Sequence, residues 1–235
     1  MPRTHANEGA EPSKHRLETL TDGVFAIAMT ILVFGLHTQR FAGAVSTQEL
    51  TRALLSQWPG LAALALSFVV LGQFWVSMHN QFRVIRSTDH WLVWLNIAYL
   101  LFISLVPFTA DHLGRYGAVG PVVILYGLNL FALSALQLGM WLWATGQRRL
   151  VAPELPAKLV REGRRLALLN VTGYAVATAV GVAVPFVSAA IFVLIPLLSI
   201  TRIDHWLVSA GDAPRHPSAL ARRANIAFRD RNAAQ

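Results

Sequence analysis

The chain contains no cysteine, and only 14% of its 235 residues are charged. Without thiols it forms neither disulfide bonds nor thiolate metal sites. A soluble domain carries roughly 25% charged residues, so the low charge argues against a soluble fold. The sequence also lacks Walker, Rossmann, G-x-S-x-G and H-E-x-x-H patterns, and we therefore expect neither an enzyme nor a bound cofactor.

Apolar residues, in contrast, make up 54% of the chain and fall in long blocks. Blocks of about 20 apolar residues have the length needed to cross ~30 Å of hydrocarbon. Six such spans are predicted, at residues 17–36, 59–79, 91–110, 119–145, 166–184 and 186–207. The expected fold is therefore all-α, a polytopic six-transmembrane-helix bundle over 16–208, with short tails at 1–15 and 209–235.

The basic residues predict the orientation of these spans. If the N-terminus is inside, 17 of the 20 Lys and Arg residues lie in inner segments, and only Arg40, Arg52 and Arg115 lie outside. This bias follows the positive-inside rule and predicts that both termini are cytoplasmic. It explains the net charge of +8 without a nucleic-acid partner. The basic tail at residues 215–231 is expected to attract anionic lipid headgroups.

Polar residues recur at one depth near the inner ends of the first three spans. Asp22, His79 and Asn96 fall at similar depths, and Arg16 or Thr21 could complete a hydrogen-bonded cluster. Buried polar groups in a membrane require such partners. The cluster could simply lock helices together, or it could form a proton relay or a network coupled to a gate.

The outer half of the first span places Ile27, Ile31 and Phe34 on one helical face, with Thr30 beside it. In a symmetric oligomer such a face could form a hydrophobic constriction around an axis. The spacing alone does not single out a pore, because most membrane helices have an apolar face of this kind.

The first three spans resemble the bacterial branch of the transmembrane protein 175 family. The family pattern R-x-x-x-F-S-D-G-V-F-A-I-A-x-T-L-L-V is matched by Arg16 and by residues 20–33, which have the sequence LTDGVFAIAMTILV. Residues 74–82 (FWVSMHNQF) are similar to F-W-x-x-H-H-x-x-F, and Asn96 with residues 107–109 (PFT) is similar to the N…PF pattern. Leu20, Thr21 and Met78 depart from the pattern.

The resemblance implies a homotetramer whose first helix lines a central pore that conducts potassium with modest selectivity. It implies that Ile27 forms the narrowest ring and that Ile31 and Phe34 form further rings outward. Thr30, beside that face, could then offer its hydroxyl oxygen to a partly dehydrated cation. It also places the five polar residues named above in an interhelical network. Permeant potassium is then the only ion required, and no metal or cofactor site is expected.

The sequence thus predicts a potassium-selective cation channel with passive permeation, in the bacterial plasma (inner) membrane. One alternative is a proton-coupled secondary transporter that uses Asp22 and His79. Another is a non-conducting membrane scaffold in which the polar cluster only holds helices together. Unitary currents in a bilayer separate the channel from both alternatives.

Overall fold

A computed structural model describes residues 14–36 and 46–211, with the backbone alone described for 200–211. In these ranges the chain is helical, and an isolated bridge between Ile85 and Val151 is its only β pairing. The predicted tails at 1–15 and 209–235 lie almost entirely outside the described residues. The seven α-helices are α1 (Lys14–Ile31), α2 (Thr47–Ser56), α3 (Trp58–Val84), α4 (His90–Tyr116), α5 (Gly120–Thr145), α6 (Ala157–Ala183) and α7 (Pro185–Gly211).

Six of these helices correspond to the six predicted spans. Five helical segments within the described chain are long and apolar enough to cross a membrane, and α7 adds an apolar stretch at Pro185–Ser199. The predicted all-α membrane architecture is therefore confirmed. Pro107 and Pro196 lie inside α4 and α7 without ending them.

The short helix α2 was not predicted from the sequence. The Ser46 side chain accepts a hydrogen bond from the Glu49 backbone N–H at 3.2 Å, and the Glu49 carboxylate accepts from the Ser46 backbone N–H at 2.9 Å. This reciprocal capping box satisfies donors that a helix N-terminus otherwise leaves unpaired. A hydropathy search for 20-residue spans misses so short a helix.

The long helices pack mainly against their neighbours in sequence. α3 contacts α4, α4 contacts α5, α5 contacts α6 and α6 contacts α7, while α7 returns to α3. Aromatic rings fill the centre of this arrangement: Phe74 stacks on Tyr174 at 5.7 Å, and Tyr126 meets Phe192 edge-on at 5.5 Å between ring centroids. α1 lies on the outside of the bundle against α3 and α4.

One end of the bundle collects the arginines at the C-termini of α3 and α5 and the N-terminus of α6, and we call it the arginine-rich end. The loops there are joined by a hydrogen bond of 2.7 Å from the Arg86 backbone N–H to the Leu150 carbonyl. Asp89 caps α4 by accepting from the Leu92 N–H at 2.8 Å, and it also accepts from Trp143 Nε1 at 2.9 Å. These contacts hold the α3–α4 and α5–α6 connections together.

Candidate pore helix and its polar cluster

One face of α1 packs into the subunit. Its buried residues recur every three or four positions and therefore share a face. Phe25 is 1% exposed, and its ring centroid lies 6.1 Å from that of Tyr99 on α4. The complete buried set on this helix and the 3-10 turn after it is Leu17, Thr21, Phe25, Ala28 and Leu32.

A second face of α1 is left uncovered by the described part of the subunit. Ile27 is 58% exposed, Ile31 43% and Phe34 76%. In an ideal helix the exposed residues of this face fall within an arc of about 100°. We call the face the α1 stripe, and it consists of Leu20, Gly23, Ile27, Thr30 and Ile31 on α1 and Phe34 on the 3-10 turn Leu32–Gly35.

Thr30 is the polar member of the stripe. Its hydroxyl donates a hydrogen bond of 2.8 Å to the Ile27 carbonyl, one turn back along the helix. Because the proton is used within the helix, the lone pairs of Oγ1 remain available as acceptors. An exposed oxygen with this orientation can face a cation or water.

Gly23 leaves an open space in the stripe. Beyond its own helix backbone and chain neighbours, a Cβ built on Gly23 meets no atom of the described subunit within 4 Å. Around it lies a shallow, largely apolar groove on α1 that also includes Arg16, Leu20 and Ile27. The stripe therefore combines a glycine gap with bulky apolar side chains on its outer side.

Thr21 and Asn96 form the buried part of the polar cluster. Asn96 Nδ2 donates to Thr21 Oγ1 at 3.0 Å, and the Thr21 hydroxyl donates to the Leu17 carbonyl at 2.8 Å. Thr21 is 2% exposed and Asn96 is fully buried. Asn96 Oδ1 has no hydrogen-bond partner among the described residues. This contact ties α1 to α4.

Asp22 forms a separate contact, with α3. Its carboxylate accepts a hydrogen bond of 2.9 Å from the Trp75 indole N–H, and all three side chains of the Asp22–Trp75–His79 group are exposed. The rings of Trp75 and His79 stack at 5.7 Å, one helical turn apart. Asp22 and His79 therefore each contact the Trp75 indole, one by a hydrogen bond and the other by stacking.

A cleft between α1 and α3 brings most of the predicted polar residues together. It is lined by Thr21, Asp22 and His79, and also by His15, Glu18 and Arg83. Arg16 differs, since it is exposed on the groove side of α1 and makes no hydrogen bond to Thr21 or Asn96. The predicted five-residue cluster thus consists of a buried pair, an exposed group and a separate arginine.

Trp75 is the participant that sequence reasoning missed, because an aromatic near a span end is expected at the lipid headgroups. Its position one turn before His79 places both on one face of α3. That spacing was the available signal. No group of three His, Asp or Glu side chains that could hold a metal ion occurs among the described residues.

Comparisons with known proteins identify the family. A sequence profile described as "Endosomal/lysosomal potassium channel TMEM175" matches residues 16–107. A potassium channel of Streptomyces collinus is 32% identical over 163 residues, which cover 68% of this chain and 78% of that relative. The chain belongs to the TMEM175 family. The resemblance predicted from the first three spans is therefore confirmed, and membership of a channel family means that the chain is not an enzyme.

Two further TMEM175 relatives extend the comparison. The crystal structure of a lysosomal potassium-selective channel TMEM175 homologue from Chamaesiphon minutus superposes with a TM-score of 0.71 at 25% identity, over 80% of this chain and 97% of that one. The endosomal/lysosomal proton channel TMEM175 of Mus musculus is 31% identical over 100 residues, 40% of this chain and 20% of that protein. The family profile ends at residue 107. The structural likeness covers 80% of the chain and therefore extends beyond that residue into the later helices.

Proposed function

We propose that this TMEM175 chain is one subunit of a homotetrameric, potassium-conducting channel in a bacterial plasma membrane. Four copies of α1 surround the ion path, and ions move passively down their electrochemical gradient. The names of the Streptomyces collinus and Chamaesiphon minutus relatives support potassium as the permeant ion.

The observation that carries the proposal is the uncovered α1 stripe. The opposite face of the same helix is packed into the subunit, so the bundle fixes which way the stripe points. In the membrane such a face can contact lipid, another subunit or water. Thr30, with its exposed oxygen, and Gly23, with open space around it, favour a water-filled path over a lipid contact.

Ile27 is the proposed narrowest ring, with Ile31 and Phe34 as further rings outward. A hydrophobic constriction opposes ion passage by excluding water. A cation passes when water occupies the ring and part of its hydration shell is removed. Potassium loses hydration at a lower cost than sodium does, which gives modest selectivity. Thr30 oxygens replace some of the lost water.

The polar contacts position the pore helix. Thr21–Asn96 holds α1 against α4, and Asp22–Trp75 holds it against α3. Both contacts lie on the inner side of Ile27 along the helix, and we propose that they hold the Ile27 side chain in position at the constriction. Interhelical hydrogen bonds in membranes contribute about 0.6 kcal/mol on average. Bonds of this strength favour one orientation of α1 but still allow the helix to move.

The arginine-rich end is the proposed cytoplasmic side. Seven described arginines lie on α3, α5, α6 and their loops at this end, and Arg16 lies in the first turn of α1 at the same end; the described outer segments contribute Arg52 and Arg115. The positive-inside rule places such an end in the cytoplasm. The seven arginines on α3, α5, α6 and their loops are Arg83, Arg86, Arg148, Arg149, Arg161, Arg164 and Arg165.

The test is single-channel recording of the purified full chain in planar bilayers, comparing Ile27→Asn with Ala26→Asn. Ala26 is exposed at the same depth but about 100° around the helix. We expect unitary potassium currents in the unmodified protein. We expect Ile27→Asn to raise the conductance and reduce potassium selectivity, because an amide hydrates the constriction. Ala26→Asn should leave both close to the unmodified values.

Equal effects of the two substitutions would overturn the pore assignment of the stripe. A complete lack of unitary current, with saturable flux instead, would favour the transporter alternative. A lack of any flux from correctly assembled protein would favour the scaffold.

Proton conduction is a second candidate. The name of the mouse relative favours it, as do the two histidines and two carboxylates that line the α1–α3 cleft. Proton flux into liposomes that contain a pH-sensitive dye measures it directly. Loss of proton flux in His79→Gln with unchanged potassium current would assign protons to this cleft, whereas a shared loss in Ile27 variants would assign both ions to the α1 stripe.

A further inference from the structure

The two helices that hold α1 each leave one face uncovered by the described subunit. Residues of such a face recur at spacings of three, four or seven positions. On α3 we call this face the α3 flank, and it consists of Leu61, Ala65, Phe68, Val69, Gly72 and His79. On α4 we call it the α4 flank, and it consists of Trp94, Ile97, Leu101, Leu105 and Phe108.

The two flanks lie on opposite sides of α1. α1 packs against both α3 and α4, while α3 also contacts α7 and α4 also contacts α5. The α3 flank is therefore exposed between α1 and α7, and the α4 flank between α1 and α5. A closed ring of identical subunits joins one side of each copy to the other side of the next. If the α1 stripes surround the axis of such a ring, an α3 flank meets an α4 flank at every interface.

The levels of side chains on the two flanks can be compared directly, because α3 and α4 are antiparallel neighbours. A Cβ built on Gly114 lies 3.0 Å from the Gly60 Cα, and the ring centroids of Phe74 and Tyr99 lie 6.4 Å apart. Each of these pairs is therefore level in the membrane. Rotation about an axis normal to the membrane leaves every level unchanged. Residues that are level within one subunit are thus also level across the interface between two subunits.

Counting from these pairs places small residues of α3 opposite large residues of α4. Ala65 comes within one residue of the level of Phe108, and Gly72 within one residue of the level of Leu101. Phe108 is 53% exposed and Leu101 58%. Beyond its own helix backbone and chain neighbours, a Cβ built on Gly72 meets no atom of the described subunit within 4 Å. Small residues let helices approach closely in membranes, so the gap at Gly72 fits a large side chain of a facing helix.

We propose that the α3 flank of each subunit binds the α4 flank of the next subunit in the ring. Phe108 and Leu101 of one copy then pack at Ala65 and Gly72 of its neighbour. This inference rests on the proposed function, because it requires the α1 stripes to surround an axis. Contact with lipid alone gives no role to two sets of side chains that share one seven-residue spacing and the same levels.

A third pair continues the same spacing toward the inner end. His79 follows Gly72 by seven residues, and Trp94 precedes Leu101 by seven. His79 is exposed and Trp94 is 54% exposed. His79 also stacks on Trp75. Trp94 of the next subunit therefore joins the Asp22–Trp75–His79 group, which is incomplete within a single copy.

The absence of cysteine from the chain allows a direct test by disulfide cross-linking. The full chain carrying both Ala65→Cys and Phe108→Cys is oxidised in membranes with copper phenanthroline and separated by non-reducing electrophoresis. We expect cross-linked dimers, trimers and tetramers, because the two Cβ atoms approach the ~3.8 Å of a disulfide. The matched control combines Ala65→Cys with Leu101→Cys. Its thiols differ in level by about 10 Å, and we expect it to remain monomeric on the gel.

A second experiment tests the gap at Gly72. We expect Gly72→Leu to reduce the fraction of tetramer in native mass spectrometry about tenfold, because added side-chain volume disrupts a close-packed contact. Gly139→Leu is the matched control. Gly139 is also half-buried with open space around a built Cβ, but it lies on α5 and on neither flank. It should retain the tetramer, and circular dichroism checks the helix content of both variants.

A tetramer that does not cross-link through Ala65→Cys and Phe108→Cys would overturn the inference and assign both flanks to lipid. Equal fractions of tetramer in Gly72→Leu and Gly139→Leu would also overturn it. Unitary potassium currents from a tetramer without that cross-link would reject the interface and leave conduction intact. Cross-linking in protein that carries no unitary current would support the interface and reject conduction.

Discussion

The two faces of α1 differ in what they contact. The buried face contributes Phe25 to the aromatic centre of the subunit and Thr21 to a hydrogen bond with α4. The α1 stripe leaves the Ile27 and Phe34 side chains more than half exposed in the described subunit. One helix thus carries a face that stabilises the subunit and a face available for another task.

This difference separates stability from conduction. Substitutions on the buried face should change the free energy of unfolding. They should change conduction only indirectly, because they shift α1 and with it the stripe. Substitutions on the stripe should change conduction with little effect on the subunit fold. Substitutions on the two faces of α1 and at its polar contacts test that separation, and their expected effects on stability decrease from Phe25 to Phe34.

Phe25→Ala should have the largest effect. Phe25 is almost fully buried, and removal of such a ring from a packed core costs about 3–5 kcal/mol. The measurement is reversible unfolding in detergent micelles. Phe34→Ala is the matched control, since it removes the same ring from the exposed stripe. Equal losses of stability would mean that the two faces do not differ as described.

Thr21→Val should destabilise the protein more than Asn96→Leu. The valine leaves the buried Asn96 amide without any partner, which costs about 1–3 kcal/mol. Asn96→Leu removes the whole amide, including its unpaired oxygen, so no buried amide atom is left without a partner and the loss of stability is smaller. The same unfolding measurement distinguishes them. The reverse order would show that Asn96 has another partner in the assembled protein.

Trp75→Phe should have a smaller effect, about 0.5 kcal/mol, because the Asp22–Trp75 hydrogen bond is exposed and contributes no more than an average interhelical bond. The ring remains to stack on His79. Asp22→Asn is the companion variant, since its amide oxygen can still accept from the indole. A loss in Asp22→Asn larger than in Trp75→Phe would point to a role for the charge itself.

Phe34→Ala should change stability least, within about 0.5 kcal/mol, as expected for an exposed side chain. Its effect should appear in bilayer recordings as an increased unitary potassium conductance, because a bulky ring is removed from the outer part of the proposed path. An unchanged conductance would limit the constriction to Ile27 and Ile31.

Much of the architecture was predictable from the chain. Apolar blocks predicted six long helices, and 17 of 20 basic residues on one side predicted their orientation. Similar depths for Asp22, His79 and Asn96 were likewise predicted from the positions of the spans. The hydrogen-bond partners of these residues could not be predicted in this way. Depth along a helix can be counted from the sequence, but the rotation of each helix toward its neighbours depends on packing among all of them.

Trp75 and Gln137 illustrate that limit. From the sequence, Trp75 is an interfacial aromatic and Gln137 one polar residue in an apolar span. The tertiary structure places Trp75 against Asp22 and buries both Gln137 and Asn80, each with an amide nitrogen that has no hydrogen-bond partner among the described residues. The Asp22–Trp75 contact is not local, since 53 residues separate Asp22 from Trp75.

Composition, hydropathy and charge bias alone determined that this chain is a six-helix membrane protein, because the bilayer constrains length and polarity directly. The motif of the first span pointed to the family. Only the tertiary structure decided which face of α1 is buried and which is left uncovered. That choice depends on how α3 and α4 pack against it, a property of the whole bundle rather than of any one span.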